Sequence, residues 1–156
     1  MTPPTPARPY RRPESVLVVV YTASREVLLL HRQRPFEFWQ SITGSLLPGE
    51  THELAAPREL AEETGFLDNG TLTYTGVSRV FVIDPRWRDR YPPGVFENVE
   101  YEWRFRLDEP RDVTLSPSEH SAFTWLPLEE AIGRVWSWTN REALEDLARD
   151  LAFDLA

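Results

Sequence analysis

The apolar positions fall into short blocks whose periodicity switches between strand and helix along the chain. Residues 15–21 (SVLVVVY) are apolar at almost every position, as in a strand buried on both faces, and residues 27–32 (VLLLHR) follow across TASRE as its expected hairpin partner. Residues 38–45 (FWQSITGS) read as one further short strand. Residues 72–83 predict a strand with an irregularity at Gly76, and residues 95–107 another, in which ENVEYEWRFRL alternates cleanly. A loop rich in aromatic and charged residues, DPRWRDRYPPG, separates these two, and residues 121–126 are a last short strand. Helical spacing predicts helices over 127–135 and 140–155, the second with Leu144, Leu147, Leu151 and Leu155 on one stripe. Between the early and late strands lies a helix with Thr51 as N-cap and Gly65 just past its end. Pro57 would stand in its second turn, where it cannot donate to the carbonyl of Glu53. The expectation is an irregular first turn, or a regular helix that begins near Pro57. The mixture predicts an α/β fold, a sheet with helices on both faces.

Length and composition narrow this further. A chain of 156 residues with 41% hydrophobic residues is large enough for one well-packed domain, expected over 14–156 after a flexible lead, 1–13. With no cysteine there are no disulfides, thiolate metal sites or cysteine nucleophiles, which suits a reducing cytoplasm. The longest apolar run is far too short to span a bilayer, so no membrane partner is expected. A formal net charge of −8 argues against a nucleic-acid polymer, whose binding rests on phosphate neutralisation. A small phosphorylated ligand remains compatible, because a few arginines and a metal meet its charge locally. All 17 basic residues are arginine, a bias that fits phosphate recognition but follows as readily from genome composition.

The chemistry concentrates in residues 44–66, GSLLPGETHELAAPRELAEETGF. At ~100° per residue, Glu59, Glu62 and Glu63 fall at 0°, about −60° and about +40°, so three carboxylates share one helix face. Like charges at this spacing repel by roughly 0.2–0.5 kcal/mol per pair, so a cation is the natural complement. Carboxylate oxygens suit hard divalent ions, Mg²⁺ above all. Three glutamates alone more often make an ordinary solvated face. Arg58, beside Glu59 and four residues before Glu62, is placed to orient Glu50 or a neighbouring carboxylate; the plain alternative is a surface pair of little worth.

The spacing raises the odds for the cation. Gly44, Glu50, Arg58, Glu59, Glu62, Glu63 and Gly65, with apolar Leu60 and Phe66, fit G-x5-E-x7-R-E-U-x-E-E-x-G-U, where U is a bulky apolar residue. A chance match to seven fixed positions is rarer than about one in a million at ordinary residue usage. The pattern resembles the signature of the Nudix hydrolases, and the resemblance implies their α/β/α sandwich with a mixed sheet over essentially the whole chain after the lead. It also implies attack of water on a phosphoanhydride, usually of a nucleoside diphosphate linked to another group, with Mg²⁺, or Mn²⁺ in its place, as cofactor. Glu59 and Glu63, one turn apart, are expected metal ligands together with the backbone near Gly44. Glu62 is a third acid, ligand or water-orienting base, and Glu119 is the expected additional acid from a distant loop. Glu59 and Glu62, with Arg58 and Glu50, make up the expected catalytic group.

Further segments, RRP, FWQSITGS, RYPPGV with NVE, EHSAFTWL and SWTNREAL, resemble the dihydroneopterin triphosphate pyrophosphohydrolase branch of that family, which serves folate synthesis. A flat, hydrogen-bonding pterin wants aromatic walls and a few polar groups. Trp39, Phe81, Tyr91 and Trp138 are expected walls, with Trp136 beside them. Thr43, Asn98, Ser137 and Asn140 are expected polar groups, and Arg11 and Arg32 expected phosphate contacts. Trp39 and Phe81 alternate within strands and have core packing as their plain alternative. A Nudix enzyme of nucleoside triphosphates or other nucleoside diphosphate compounds would carry the same signature. A non-catalytic Nudix-fold binding domain would be expected to lack some of its glutamates, and none is missing. The expected partner is a small triphosphate, and the expected state a monomer or homodimer.

Overall fold

The computed structural model describes residues 9–67, 69–116 and 118–154. Seven strands, β1 (Glu14–Thr22), β2 (Glu26–Arg32), β3 (Phe38–Gln40), β4 (Ile42–Ser45), β5 (Thr71–Val82), β6 (Glu97–Leu107) and β7 (Ala122–Pro127), form one mixed sheet. Its main path runs β3-β2-β1-β6-β5. Helix α1 (His52–Thr64) packs on one face, while α2 (Leu128–Arg134) and α3 (Trp138–Asp154) pack on the other. This is the expected α/β/α sandwich.

The unbroken apolar run of β1 explains its central place. Val16, Val18 and Val20 face the α1 layer with Leu60 and Phe105, while Leu17 and Val19 face the α2/α3 layer with Leu128, Leu144 and Leu147. One edge of β1 is taken throughout by β6 in parallel, from Glu14 opposite Val99 to Thr22 opposite Leu107. Its other edge is divided. The expected hairpin with β2 exists, but its Cα pairing is confined to Tyr21 opposite Val27, while β4 pairs antiparallel with Ser15–Val18.

That division corrects the reading of 38–45 as one strand. Residues 38–40 pair with β2 and residues 42–45 with β1, and Ser41 is the pivot between them. Asn140 holds the pivot: its Oδ1 accepts from Ser41 N–H at 2.8 Å, and its Nδ2 donates to Ser41 Oγ at 2.9 Å. A buried side chain 99 residues away thus supplies bonds the ladder omits.

Pro57 produces another correction. Helix α1 is continuous from His52 through Pro57 to Thr64, so neither expected irregularity occurs. Both Pro57 and Glu53 are exposed, so water can satisfy the carbonyl that proline leaves without a donor. Thr51 precedes the helix in extended conformation but makes no side-chain cap, and Gly65 ends it at φ 79° as expected. The irregularity at Gly76 is a register shift between Tyr74 and Ser78 in the β5–β6 pairing, with Gly76 at φ 82°. The aromatic loop contains a 3-10 turn, Pro85–Arg90. Helix α3 begins at Trp138, two residues earlier than expected, because Ser137 Oγ accepts from Asn140 N–H at 3.2 Å. Leu155 of the expected stripe lies outside the described residues, as do residues 1–8 of the expected lead. The rest of the lead is bonded to the domain: Arg11 N–H donates to the Arg90 carbonyl at 2.7 Å, and the Pro13 carbonyl accepts from Val99 N–H at 3.0 Å.

Candidate active site

The acidic face of α1 is turned inward, not into solvent. Glu59 and Glu63 are buried at 7% and 2% exposure, whereas Glu62 remains largely exposed. Burying two carboxylates one turn apart is costly unless each is paired and hydrogen-bonded, so their surroundings are informative. Arg58 answers part of the charge. Its Nε and one NH2 group bind the two oxygens of Glu50 at 2.7 and 2.8 Å, and the other bonds Glu59 at 2.9 Å and Glu62 at 3.1 Å. The Glu50 pair holds the Arg58 pKa above its usual value, and the same bonds hold the Glu50 carboxyl below the usual carboxylate range. Burial nevertheless pushes Glu59 up to about 7, against the opposing pull of Arg58.

Gly44 faces this group. A Cβ at Gly44 would overlap the Glu59 carboxylate, so β4 can approach α1 only with hydrogen at that position. Glu63 meets the expected distant acid: Glu119, on the loop before β7, hydrogen-bonds its carboxyl, which raises the pKa of Glu119, while burial raises that of Glu63. Two acids in such contact share a proton unless a cation takes its place.

His120, beside Glu119, is not among the expected site residues. It is buried, with Nδ1 at 2.6 Å from Glu63 Oε2 and Nε2 at 3.1 Å from the Gln40 amide. The Nδ1–Glu63 approach is off the line of a hydrogen bond, so both atoms are left without a hydrogen-bond partner. Burial lowers the His120 pKa to about 4, so the ring is neutral at pH 7. Ligand atoms of Glu63, Glu119 and His120 lie within 4.8 Å of one another, a spacing that one divalent ion can bridge. The orphaned Glu63 oxygen, the cleared space at Gly44 and the hard-oxygen donor set all fit such an ion.

Beside the acids opens a cavity of about 360 Å³. Of the expected substrate residues, Arg11, Arg32, Thr43, Phe81, Tyr91, Ser137 and Trp138 line it. Trp39 does not. It tilts against His31 at 4.8 Å between centroids and packs on the α2/α3 core, its plain alternative. Asn98 is not in the lining either: it is buried beneath it, where Nδ2 donates to Ser15 Oγ at 2.8 Å. Asn140 is likewise buried at its pivot.

Phe38 and Trp87, neither of them expected, join the expected Trp136 in the wall. Phe36, Phe38, Trp87 and Trp136 interlock with centroids 4.8–5.8 Å apart, mostly edge-on or tilted. Trp136 and Trp138 remain 41% and 49% exposed, which leaves ring surface for a ligand. Arg32 joins cavity to acids: it lines the cavity and feels the charges of Glu119 and Glu63, while burial and neighbouring Arg11 and Arg90 lower its pKa. Arginines crowded beside carboxylates provide for a ligand that brings both anionic oxygens and a cation.

The family model described as the NUDIX domain matches residues 11–147. The chain belongs to the NUDIX family. The chain is similar to dihydroneopterin triphosphate diphosphatase of Escherichia coli strain K12, 40% identical over 147 residues that cover 92% of this chain and 97% of that protein. The protein of that name from Haemophilus influenzae is 35% identical over 140 residues, 87% of each chain. The solved structure of the E. coli dihydroneopterin triphosphate pyrophosphohydrolase superposes with a TM-score of 0.84 at 38% identity, covering 89% of this chain and 97% of that one. The α/β/α sandwich and mixed sheet are thus the NUDIX fold. No helix among the described residues is long and apolar enough to cross a membrane.

Proposed function

We propose that this NUDIX protein hydrolyses dihydroneopterin triphosphate to the monophosphate and pyrophosphate in a Mg²⁺-dependent reaction, with Mn²⁺ an alternative ion. The observation that carries the reading is the junction of two unlike sites: an aromatic-walled cavity opening beside an inward-facing carboxylate cluster, with Arg32 at their border. Similarity to the diphosphatases over nearly the full length supports the choice of substrate.

Glu59, Glu63 and Glu119 would hold the ion, with the Gly44 backbone beside them and His120 fixed against Glu63. The bound ion supplies charge neutralisation at the phosphoryl oxygens and acidifies water. Arg58 keeps Glu59 and Glu62 oriented, and its grip on Glu50 ties them to the loop after β4. Glu62, exposed and paired with Arg58, would accept the proton of the attacking water. Water adds at phosphorus, the bond between the α and β phosphates breaks, and pyrophosphate leaves. Arg32 and Arg11 neutralise the polyphosphate chain, while the aromatic wall holds the heterocycle.

The test is product analysis with dihydroneopterin triphosphate and the common nucleoside triphosphates. The expected result is pyrophosphate release with the highest kcat/KM for the pterin, no turnover in EDTA and recovery with Mg²⁺. Equal kcat/KM for dATP and the pterin, or release of single phosphate, would assign the protein to nucleotide hydrolysis instead.

A further inference from the structure

Glu100 closes the NVE segment but is not among the expected site residues, and it is a buried acid in the cavity lining. It stands on β6, opposite Ser15 of β1 and Arg79 of β5, and turns toward the α2/α3 layer, away from α1. Only 6% of the residue is exposed, it lines the cavity, and its Oε1 has no hydrogen-bond partner. Thr139, in the first turn of α3, is the polar neighbour that favours its ionised form.

The nearby cation does not answer it. Arg79 is committed to Glu102 at 2.7 Å and to Asp146 at 2.8 Å, and makes no ion pair with Glu100. Burial accordingly pushes the Glu100 carboxyl up to about 7. A buried acceptor without a donor is uncommon in a folded protein, and Glu100, unlike unsatisfied Asn98 and Glu102 beside it, lines the cavity where a ligand can supply one.

We propose that Glu100 reads the heterocycle of the substrate, its carboxylate accepting two parallel N–H groups from the 2-amino-4-oxo pyrimidine edge of the pterin. This rests on the pterin reading of the cavity. A carboxylate is acceptor-only at both oxygens. The 2-amino-4-oxo edge offers an amino N–H beside a ring N–H, so both oxygens are used. An adenine edge offers an amino N–H beside a ring nitrogen lone pair, which would face the second oxygen. Glu100 thus both selects one edge and opposes the other. Phe81 and Trp138 line the same cavity and offer aromatic surface to a planar ring.

The decisive variant is Glu100→Gln, whose amide presents one acceptor and one donor and so complements the adenine edge. The expected result is a fall of about 10- to 1000-fold in kcat/KM for dihydroneopterin triphosphate, with kcat/KM for dATP unchanged or raised. Equal loss on both substrates, or no loss on the pterin, would overturn the assignment while leaving the substrate reading intact. A wild-type protein that does not prefer the pterin overturns both. Should Glu100→Gln not fold, the unmutated enzyme supplies the same comparison through its ligands. Guanine carries both N–H groups and hypoxanthine only one, so dGTP should exceed dITP in kcat/KM by about ten-fold or more. Equal values for these two nucleotides would refute a two-pronged contact.

Discussion

Gly44 and Glu59 occupy the same space but for one methyl group: a Cβ on Gly44 would overlap the Glu59 carboxyl carbon and both its oxygens. Gly44 is not among the residues at positive φ, so alanine is compatible with the backbone and strikes only the carboxylate. Gly44→Ala should therefore lower kcat by at least about 10²-fold and weaken Mg²⁺ binding, while the metal-free protein melts within a few degrees of wild type. Kinetics on both sides of Mg²⁺ saturation, with calorimetry in EDTA, check this. A variant with wild-type rate would mean that Glu59 is not held at the metal.

Glu119 is exposed as a residue, yet its carboxyl contacts buried Glu63. Its removal leaves no apolar cavity but deletes one oxygen donor. Glu119→Ala should weaken metal affinity or rate by roughly ten-fold or more with little change in the metal-free melting temperature. Mn²⁺ titration followed by spin relaxation gives the affinity directly, and an unchanged value returns Glu119 to an ordinary surface role.

Trp138 lies in the first turn of α3 with half of its surface exposed on the cavity. Trp138→Ala should reduce kcat/KM for the pterin more than for dATP, because the change lies away from the carboxylates. Competition between the two substrates in one reaction measures the ratio without dependence on enzyme concentration. Uniform loss would place Trp138 outside substrate selection.

Glu100 should leave a signature on stability as well as on selectivity. Its folded pKa of about 7 lies above the ordinary value of 4.5, through burial and repulsion from Glu102, with Thr139 and Arg79 opposing. Between those values the folded protein holds a proton that the unfolded chain has released. Stability conferred by the protonated group is therefore full below about pH 4.5 and is lost as pH rises through about 7. Glu100→Gln cannot lose that proton. The melting temperature of Glu100→Gln relative to wild type, both in EDTA, should thus rise from pH 5 to pH 8. A difference independent of pH would show that Glu100 is ionised throughout.

The α1 segment was legible because its message is local: seven spaced residues define carboxylates on one helix face, and the structure gathers Glu59, Glu63, Arg58 and Glu50 as that spacing implies. What sequence could not convey depended on partners far along the chain. The division of residues 38–45 at Ser41 is fixed by Asn140 in another layer. His120 looked like loop because its only local company is polar, and its burial comes from Gln40 and α1. Trp39 and Phe38 are adjacent aromatics of similar promise, and strand alternation alone does not say which face receives the cavity. Glu100 was hidden by its own strand: in ENVEYEWRFRL it shares the polar phase with Asn98, Glu102 and Arg104, which reads as a solvated face, and its burial comes from a layer far along the chain.

The two layers of the sandwich separate breaking a bond from choosing a molecule. Glu59, Glu62 and Glu63, the carboxylates of α1 proposed to act on phosphate, lie on one side of the sheet, whereas Trp138 and Thr139 of the cavity lining belong to α3 on the other. Substitutions in the two layers share few partners, so their free-energy effects should add. A change of diet is then open to this scaffold through α3 and the turn at Pro85–Arg90, with the hydrolytic apparatus left as it is.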